Sequence, residues 1–452
     1  MSDDLRTRAT EALADRGLHE ALARATDRFV EIRRAGDDVA NLDALKRAAR
    51  WQRHRVMERL PEILERFADA VGRAGGVVHW AADAAEANDI VGDLAARHAV
   101  RTVVKSKSML TEEIGLNEAL EAVGIDVVET DLGEWIVQLA GDRPSHILGP
   151  AIHYTRERVA ELFSARAGEE LPPDPEVLCA YARASLRERF LEADMGISGC
   201  NFGVAETGTV VLVTNEGNGR MVTSVPPIHV VVMGMERIVE TWDQLDLMMT
   251  LLPRSATGQQ LSVYTTQVTG PRRDGEIDGP DELHVVIVDN GRSHVLGTGA
   301  HEMLHCIRCS ACLNVCPVYR QIGGHAYGSV YSGPMGAVLT PLLDPSPAAT
   351  ELANASSLCS ACHEVCPVGI PLQDLLLLRR ADNAAGGAPA AFRAWAKVWS
   401  RPAAYRASIA AVQTGARMVP DTFVPSAWTD GRTVPRPRGR GSLRERLARG
   451  EI

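Results

Sequence analysis

One cysteine run constrains this chain more than any other feature of its sequence. Cys306, Cys309, Cys312 and Cys316 follow the spacing C-x2-C-x2-C-x3-C, and Pro317 comes directly after the last of them. Bacterial iron–sulfur proteins use this spacing, because three thiolates two residues apart let one tight loop hold three corners of a [4Fe-4S] cluster. The run therefore predicts a domain of the ferredoxin type.

A second, imperfect copy of the run begins at Ser356, where the first copy has Cys306. It contains three cysteines, and a proline again follows the last one. In two-cluster proteins of this kind, the last cysteine of one run binds the cluster of the other run. The sequence therefore predicts two [4Fe-4S] clusters with these ligands: Cys306, Cys309, Cys312 and Cys366 for cluster 1, and Cys316, Cys359 and Cys362 for cluster 2.

The fourth ligand of cluster 2 is left open by the sequence. Ser356 could bind as an alkoxide, although oxygen suits this chemistry less well than a soft thiolate. The corner could also be open to solvent or substrate, or be filled by a partner protein. Of the two remaining cysteines, Cys200 is the candidate, because it lies in a glycine-flanked turn. Cys179 lies in a predicted helix and is expected to be a small core residue.

Zinc is the alternative metal, because C-x2-C pairs also build closed tetrahedral zinc sites. Four cysteines in one run and a Cys-Pro end in both copies favour iron–sulfur clusters. The segment His301-Glu302-Met-Leu-His305 also matches the H-E-x-x-H pattern of zinc proteases. Because no third-ligand pattern follows it and it leads directly into Cys306, we interpret it as a chance match.

The composition predicts a soluble, cytoplasmic protein of several domains. The chain has 452 residues and a formal net charge of -10, which argues against nucleic acid as the main partner. The acidic N-terminus lacks the apolar core of a secretory signal, and no apolar run approaches the ~20 residues of a transmembrane segment. Seven of the nine cysteines fall between Cys306 and Cys366, as expected for metal binding in a reducing compartment.

Changes in pattern divide the chain into four parts. Residues 1–75 have apolar residues spaced three and four apart, which predicts helices. Residues 76–296 alternate β-branched runs with helical stretches, which predicts an α/β domain with a mainly parallel sheet covered by helices. Residues 297–380 hold both cysteine runs and predict an α-helical, ferredoxin-type domain for two clusters. Residues 381–452 combine a helical segment with a Pro/Arg-rich tail.

The last part is basic, although the whole chain is acidic. From Ala381 onward there are twelve Arg or Lys residues against five Asp or Glu. This charge predicts either a solvated tail or a docking segment for an acidic partner or an anionic membrane surface. Any membrane contact of this kind would be peripheral.

No nucleotide-binding fingerprint accompanies the cysteine runs. Gly297-Thr-Gly299 lacks the third glycine of G-x-G-x-x-G, and there is no Walker loop. Iron–sulfur clusters pass single electrons, whereas oxidation of an alcohol to a ketone releases two, often as a hydride. We therefore expect the chain to conduct electrons within a complex rather than to be a complete oxidase by itself.

Long stretches of the chain resemble a known family. VKSKSMLTEEIGLNEALEAVGIDVVETDLGEW looks like the opening half of the lactate-utilisation (LUD) domain, and GISGCNFGVAETGTVVLVTNEGNGRMVTSVPPIHVVVMGMERIV looks like its second half. With the two cysteine runs and AWAKVWSRP after them, nearly the whole chain resembles the lactate utilization protein B family. These proteins are the iron–sulfur subunits of a bacterial three-protein system that oxidises L-lactate.

The resemblance implies both a fold and a function. The LUD fold is similar to that of CoA-transferases and sugar-phosphate isomerases, which does not by itself locate a site. The family's ligands correspond to the cysteines given above, and its pattern includes the serine at position 356. The resemblance further implies oxidation of L-lactate to pyruvate, growth on lactate, and companion subunits that pass the electrons onward.

Several polar residues of the α/β part are candidates for binding lactate or pyruvate. They are Lys105, Lys107, Glu129, Asp131, His146, His153, Glu206, Thr207 and Thr209. The lysines could hold a carboxylate, and His146 or His153 could take the proton from a 2-hydroxyl. In the structural alternative, which we favour, Glu206 and Thr207 cap a turn and the histidines satisfy loop backbone groups.

Three functions follow from these patterns. The leading one is an electron-transfer subunit of a lactate-oxidising complex. The second is a self-sufficient hydroxy-acid lyase or hydratase with an open iron in cluster 2, for which the missing cysteine at Ser356 is the only support. The third is a redox-sensing, non-enzymatic assembly or regulatory protein.

Overall fold

A computed structural model describes residues 4–37, 39–384, 390–415, 446–447 and 449–450. The chain begins with four helices, as the spacing of its apolar residues predicts: α1 (Leu5–Ala14), α2 (Arg16–Gly36), α3 (Leu42–Glu58) and α4 (Leu60–Arg73). Helix α4 buries Leu60, Ile63, Leu64, Phe67 and Val71 along one face. This face covers the parallel sheet described next, because these side chains share a cluster with strand residues.

Ten strands follow in chain order: β1 (Val77–Ala81), β2 (Thr102–Lys105), β3 (Asp126–Glu129), β4 (Met195–Ser198), β5 (Phe202–Val204), β6 (Thr209–Thr214), β7 (Ile228–Gly234), β8 (Ile238–Val239), β9 (Tyr264–Val268) and β10 (Glu282–Val288). Six of them form one sheet in the order β1-β10-β7-β4-β2-β3. All of its pairings are parallel. The predicted parallel sheet is therefore confirmed.

The other four strands form a smaller mixed sheet in the order β8-β5-β6-β9. Strand β6 pairs antiparallel with β5 and β9, whereas β5 pairs parallel with β8. The segment LSVYTTQV supplies the edge strand β9. Three residues separate β4 of the large sheet from β5 of the small one, so the chain crosses between the sheets at Cys200.

Nine helices connect the strands or lead out of the sheets: α5 (Ala84–Arg97), α6 (Met109–Glu113), α7 (Leu116–Ala122), α8 (Leu132–Leu139), α9 (Arg156–Ala167), α10 (Pro175–Glu192), α11 (Asn218–Ser224), α12 (Trp242–Thr257) and α13 (Arg292–Leu296). Helix α10 begins at Pro175 and is capped by Asp174, as is common for helices with a proline in the first turn. The core position expected for Cys179 within this helix is wrong, because its side chain is exposed.

The cysteine region is built of short helices. They are α14 (Ala311–Val315), α15 (Tyr319–Ile322), α16 (Gly333–Leu343), α17 (Pro347–Glu351), α18 (Ala361–Glu364) and α19 (Leu372–Asn383), with 3-10 helices at His301–His305, His325–Tyr327 and Leu352–Asn354. The H-E-x-x-H segment is thus a 3-10 helix and not the α-helix of a zinc protease. Farther along the chain lie α20 (Ala390–Trp399) and α21 (Pro402–Gly415).

One core joins the first three parts of the sequence. Residues up to Ala381 form a single compact unit, and the remainder of the chain is a second unit. The largest buried cluster includes Leu22 of α2, Met248 of α12, Cys309 and Leu339 of α16. The changes of pattern near residues 75 and 296 therefore do not separate independent cores.

Among the described residues, no helix is both long and apolar enough to cross a membrane. Most of the basic tail lies outside the described residues, beyond residue 415. The docking role of this tail stays a prediction.

The Phe67 side chain tests how much α4 contributes to stability. It is fully buried, and its ring lies against Gly203 of β5, where an added Cβ would be 3.1 Å away. We expect Phe67→Ala to lower the free energy of unfolding by about 3–5 kcal/mol, because the cavity cannot close fully. Chemical denaturation measures this, with the exposed Glu65→Ala of the same helix as a control that should change by less than about 0.5 kcal/mol. Equal effects of both changes would contradict the prediction.

Candidate functional site

The two cysteine loops have the same backbone conformation. Arg308 and Ser310 of the first loop have φ values of 59° and 59°, and Leu358 and Ser360 of the second have 56° and 66°. Non-glycine residues rarely adopt this left-handed conformation, which costs energy. Its presence at matching positions shows that the sequence repeat is also a structural repeat.

Four thiols surround one small, apolar cavity: Cys306, Cys309, Cys312 and Cys366. Burial raises the pKa of the Cys309 thiol, and the neighbouring Cys366 raises it further. Backbone N–H groups donate to two of the sulfurs, from Arg308 to Cys306 at 3.4 Å and from Ile370 to Cys366 at 3.3 Å. Four convergent sulfurs with N–H donors and an apolar wall fit a [4Fe-4S] cluster.

The other three cysteines of the region form a second group. Burial raises the pKa of Cys362 to about 12, with further contributions from Cys316 and Cys359. Cys359 itself is exposed, and a hydrogen bond from the backbone N–H of Ala361 lowers its pKa. The thiols thus form two groups, one buried and one partly open to solvent, and their roles as cluster ligands stay a prediction.

Ser356 occupies the position that Cys306 has in the first loop. Its Oγ accepts a hydrogen bond from the backbone N–H of Leu358 at 3.1 Å, as the Sγ of Cys306 accepts one from Arg308. The serine hydroxyl therefore points in the same direction relative to its loop as the cysteine thiol does.

Cys200 lies on the side of the first thiol group. The Arg237 side chain contacts the backbone oxygens of both Cys200 and Cys306, at 3.5 and 2.9 Å. Burial raises the pKa of the Cys200 thiol to about 12. A role for Cys200 as the fourth ligand of cluster 2 stays a prediction.

A cavity of about 300 Å³ lies at the carboxyl edge of the parallel sheet. Its wall includes residues that follow three neighbouring strands: Lys107 after β2, Cys200 after β4 and Arg237 after β7. Arg308 and Tyr331 of the cysteine region also line it. Ligands of open parallel sheets bind at this edge, and here the edge adjoins the loop that carries the first thiol group.

Buried ion pairs connect this edge to the cysteine loop. Arg292 forms a two-pronged pair with Glu113, at 2.7 and 2.8 Å, and a further pair with Glu236 at 2.8 Å. Glu236 also pairs with Arg308 at 3.4 Å. Burial alone would raise the pKa of Glu236, but Arg292 and the other arginines lower it to about 2.

Two more buried arginines adjoin this network. Arg53 donates to the backbone oxygens of Glu236 and Leu304 at 2.5 and 3.1 Å. Arg237 donates to the carbonyl of Cys306 and lies over the Phe202 ring. Among the described residues, neither arginine has a carboxylate within 4.0 Å, so positive charge exceeds negative charge around the first thiol group.

His146 supports the structure rather than lining the cavity. Its Nδ1 accepts the backbone N–H groups of Leu148 and Gly149 at 3.1 and 3.2 Å, and its Nε2 donates to Asn314 at 3.1 Å. Burial lowers the pKa of His146 to about 3. The ring therefore stays neutral and ties the loop after α8 to the cysteine region.

His153 lies in the same loop and also contacts the cysteine region. Its Nε2 pairs with Asp142 at 3.0 Å, and its ring meets that of His325 at 4.6 Å. Burial lowers the pKa of His153. Like His146, it is not part of the cavity wall.

The lysines and acidic residues predicted to bind a small carboxylate lie in two different places. Lys105 is fully buried, pairs with Glu129 at 2.7 Å and Glu112 at 3.0 Å, and does not line the cavity. Lys107 and Asp131 do line the cavity, and Asp131 also caps α8. Of these candidates, Lys107 and Asp131 are therefore the two that a ligand in the cavity could reach.

Glu206 and its neighbours form a turn away from the cavity. The Glu206 carboxylate accepts the backbone N–H of Trp242 at 3.2 Å. The hydroxyls of Thr207, Thr209 and Thr269 are linked by hydrogen bonds of 2.7 and 2.6 Å. These contacts engage Glu206 with the start of α12 and the threonine hydroxyls with one another, and the predicted capping of the turn before β6 stays a prediction.

Sequence reasoning missed the arginines of the site. Arg237 and Glu236 directly follow β7, a fully buried strand, in the segment MGMERIV. Charged residues at the carboxyl end of a buried parallel strand are a signal that could have indicated them. No local pattern indicates Arg53 or Arg292, because they reach the site only through packing.

Comparisons with known proteins agree with this architecture. The LUD domain family matches residues 64–288, the 4Fe-4S dicluster domain matches residues 302–370, and the C-terminal domain of lactate utilisation protein B matches residues 380–451. A crystal structure of a DUF162 family protein from Deinococcus radiodurans aligns with 51% of this chain and 98% of its own, at 17% identity and a TM-score of 0.28. The matching family models define the class as a LUD-domain protein that carries a 4Fe-4S dicluster domain.

Full-length relatives identify the family. Lactate utilization protein B of Oceanobacillus iheyensis is 46% identical over 441 residues, which are 94% of this chain and 92% of the relative. The proteins of the same name from Bacillus licheniformis and Bacillus subtilis are 50% and 48% identical over 82% and 84% of this chain. The chain belongs to the lactate utilization protein B family.

The Glu236 carboxylate tests the buried ion pairs. We expect Glu236→Gln to lower the free energy of unfolding by about 3–5 kcal/mol at pH 7, because Arg292 and Arg308 would lose a buried partner. The folded pKa of about 2 lies below the unfolded value, so this stabilisation is complete above about pH 5 and is lost as the pH falls toward 2. The difference from wild type should shrink over that range in denaturation experiments.

The exposed Glu58→Gln is the matched control, since Glu58 pairs only with His54 and Arg55 at the surface. It should change stability by less than about 0.5 kcal/mol. An E236Q effect as small as this, or one independent of pH, would show that the ion pairs do not hold the loop.

Proposed function

We propose that this chain is a cytoplasmic electron-transfer subunit that holds two [4Fe-4S] clusters and works with companion subunits to oxidise L-lactate to pyruvate. The observation that carries the proposal is the division of the thiols into two groups on two equivalent loops. Two clusters with different surroundings are what an electron conduit requires, because electrons can enter at one and leave at the other.

The proposed ligands follow the grouping of the side chains. Cys306, Cys309, Cys312 and Cys366 would hold cluster 1 in the apolar cavity. Cys316, Cys359 and Cys362 would hold cluster 2, and Ser356 would supply its fourth ligand, because its Oγ has the position of the Cys306 sulfur. An oxygen ligand is weaker than a thiolate, so cluster 2 is expected to be the more labile of the two.

Companion subunits are proposed because lactate oxidation releases two electrons, whereas an iron–sulfur cluster accepts them one at a time. Oxidation of lactate to pyruvate releases two electrons and two protons, whereas each cluster, when bound, accepts one electron. The two clusters together could hold both electrons before passing them on. The names of the relatives support lactate as the substrate of the proposed complex.

Iron and acid-labile sulfide content tests the ligands. After anaerobic purification, wild type is expected to hold about eight of each per chain, from two [4Fe-4S] clusters. Ser356→Ala should lower the content toward about four, whereas Ser356→Cys should keep about eight. Both would be measured by colorimetric iron and sulfide assays on the full chain.

Cys200→Ala is the control that separates the alternatives. With Ser356 as the ligand, C200A keeps the wild-type content. Loss of about four irons in C200A, with no loss in S356A, would identify Cys200 as the ligand instead. Wild-type iron and sulfide content in both S356A and C200A would mean that solvent or a partner protein supplies the fourth ligand of cluster 2.

Lactate turnover tests the electron-transfer role. The chain with both clusters is expected to reduce an artificial acceptor with L-lactate only poorly when alone, because it would conduct electrons rather than remove them from the substrate. Adding the companion subunits should restore turnover by orders of magnitude. Full turnover by the isolated chain would contradict the electron-transfer role and favour a self-sufficient enzyme.

A further inference from the structure

The cavity at the carboxyl edge of the sheet has a basic end. Arg237 and Arg308 line it, and both side chains are otherwise buried. Arginine carries five N–H donors. The described contacts of Arg237 use two of them, on the carbonyls of Cys200 and Cys306, and Arg308 uses one on Glu236. Both guanidinium groups therefore keep donors for a ligand.

The position of Arg308 is held firmly. Its guanidinium stacks on the Tyr331 ring at 4.8 Å, and the Tyr331 hydroxyl donates to Glu113 at 2.6 Å. Glu113 in turn holds Arg292, which pairs with Glu236. A guanidinium fixed in this way loses little conformational entropy when it binds an anion.

The rest of the wall carries both signs of charge: Lys107 adds a positive group, and Asp131 and Glu216 add carboxylates. The neutral polar groups, which suit hydroxyl or keto oxygens, are Asn201, Thr214, Asn215, Asn218, Gln259 and Ser262. Apolar side chains such as Leu212 and Leu252 complete the wall. A volume of about 300 Å³ is at the small end of the range of ligand sites.

We propose that this cavity binds a small organic carboxylate, whose carboxyl group is held by Arg237 and Arg308 next to the first cysteine loop. Planar, two-pronged hydrogen bonding of arginine to carboxylate favours this class of ligand. The choice of 2-hydroxy and 2-oxo acids as the first probes rests on the proposed function. The site itself rests on the cavity and its two arginines.

The same arginines also face the first thiol group. Arg237 donates to the carbonyl of Cys306, and the backbone N–H of Arg308 donates to its sulfur. An anion bound to these groups would add negative charge beside a cluster held there. Reduction of that cluster also adds negative charge, so we expect carboxylate binding to lower the reduction potential of cluster 1 and reduction to weaken binding.

Isothermal titration calorimetry on the full chain with its clusters, under anaerobic conditions, tests the site. The probes are pyruvate and L-lactate, with lactamide as the neutral analogue of the same shape and inorganic phosphate as another anion. We expect one saturable site per chain for the carboxylates, and binding of lactamide and phosphate that is weaker by about tenfold or more. An EPR-monitored redox titration with and without pyruvate gives the second readout.

Two kinds of variant locate the site. Arg237→Lys and Arg308→Lys keep the positive charge but lose the planar, two-pronged hydrogen bonding of the guanidinium group. Each should weaken pyruvate binding by about tenfold. Met109→Trp leaves the arginines unchanged and fills part of the cavity, and it should also weaken binding. If an arginine variant loses its clusters, the Met109→Trp variant still tests whether the ligand binds in this cavity. Arg55→Lys, at an exposed surface pair, is the matched control and should bind as wild type does.

Absence of saturable binding by any carboxylate would overturn the proposal, and so would binding that is unchanged in R237K, R308K and M109W. Equal binding of lactamide or phosphate would rule out a carboxylate site. The result also separates this proposal from the proposed function, because binding does not need companion subunits or turnover. If carboxylates bind but the chain with its companion subunits does not oxidise lactate, the carboxylate site is supported. The proposed function is then rejected.

Discussion

A continuous set of buried ion pairs joins the α/β part of the protein to its first cysteine loop, and the site depends on it. Glu113 of α6, Arg292 of α13, Glu236 after β7 and Arg308 of the cysteine loop follow one another within 3.4 Å. A buried charge that loses its partner is costly, so each member holds the next in place. The loop therefore sits at the carboxyl edge of the sheet, and the cavity and the first thiol group share a wall.

The two cysteine loops show how one local structure can acquire two environments. Their backbones match, including the left-handed residues at equivalent positions. The first group of thiols is surrounded by apolar side chains and buried arginines, whereas the second includes the exposed Cys359. Reduction potentials depend on nearby charge, hydrogen bonds and solvent, so the surroundings rather than the loops themselves distinguish the two sites.

Much of the fold was accessible from the sequence. The β-branched runs and helical stretches predicted the parallel sheet, because buried parallel strands read as continuous apolar runs. The short strands β4 and β5 around Cys200 were not anticipated, and Cys179 is exposed where a core residue was expected. Both depend on which face of an element meets the rest of the protein, and a single sequence states that only weakly.

The sequence by itself determined the spacing of the cysteines within each run, and with it the two matching loops. That information is local, because ligands two and three residues apart constrain their own backbone. Only the tertiary structure decided what surrounds those thiols. Arg53, Arg237, Arg292 and Arg308 come from distant parts of the chain and meet at one edge of the sheet. Their meeting is a result of packing among two helices, a sheet and a loop, which no local pattern encodes.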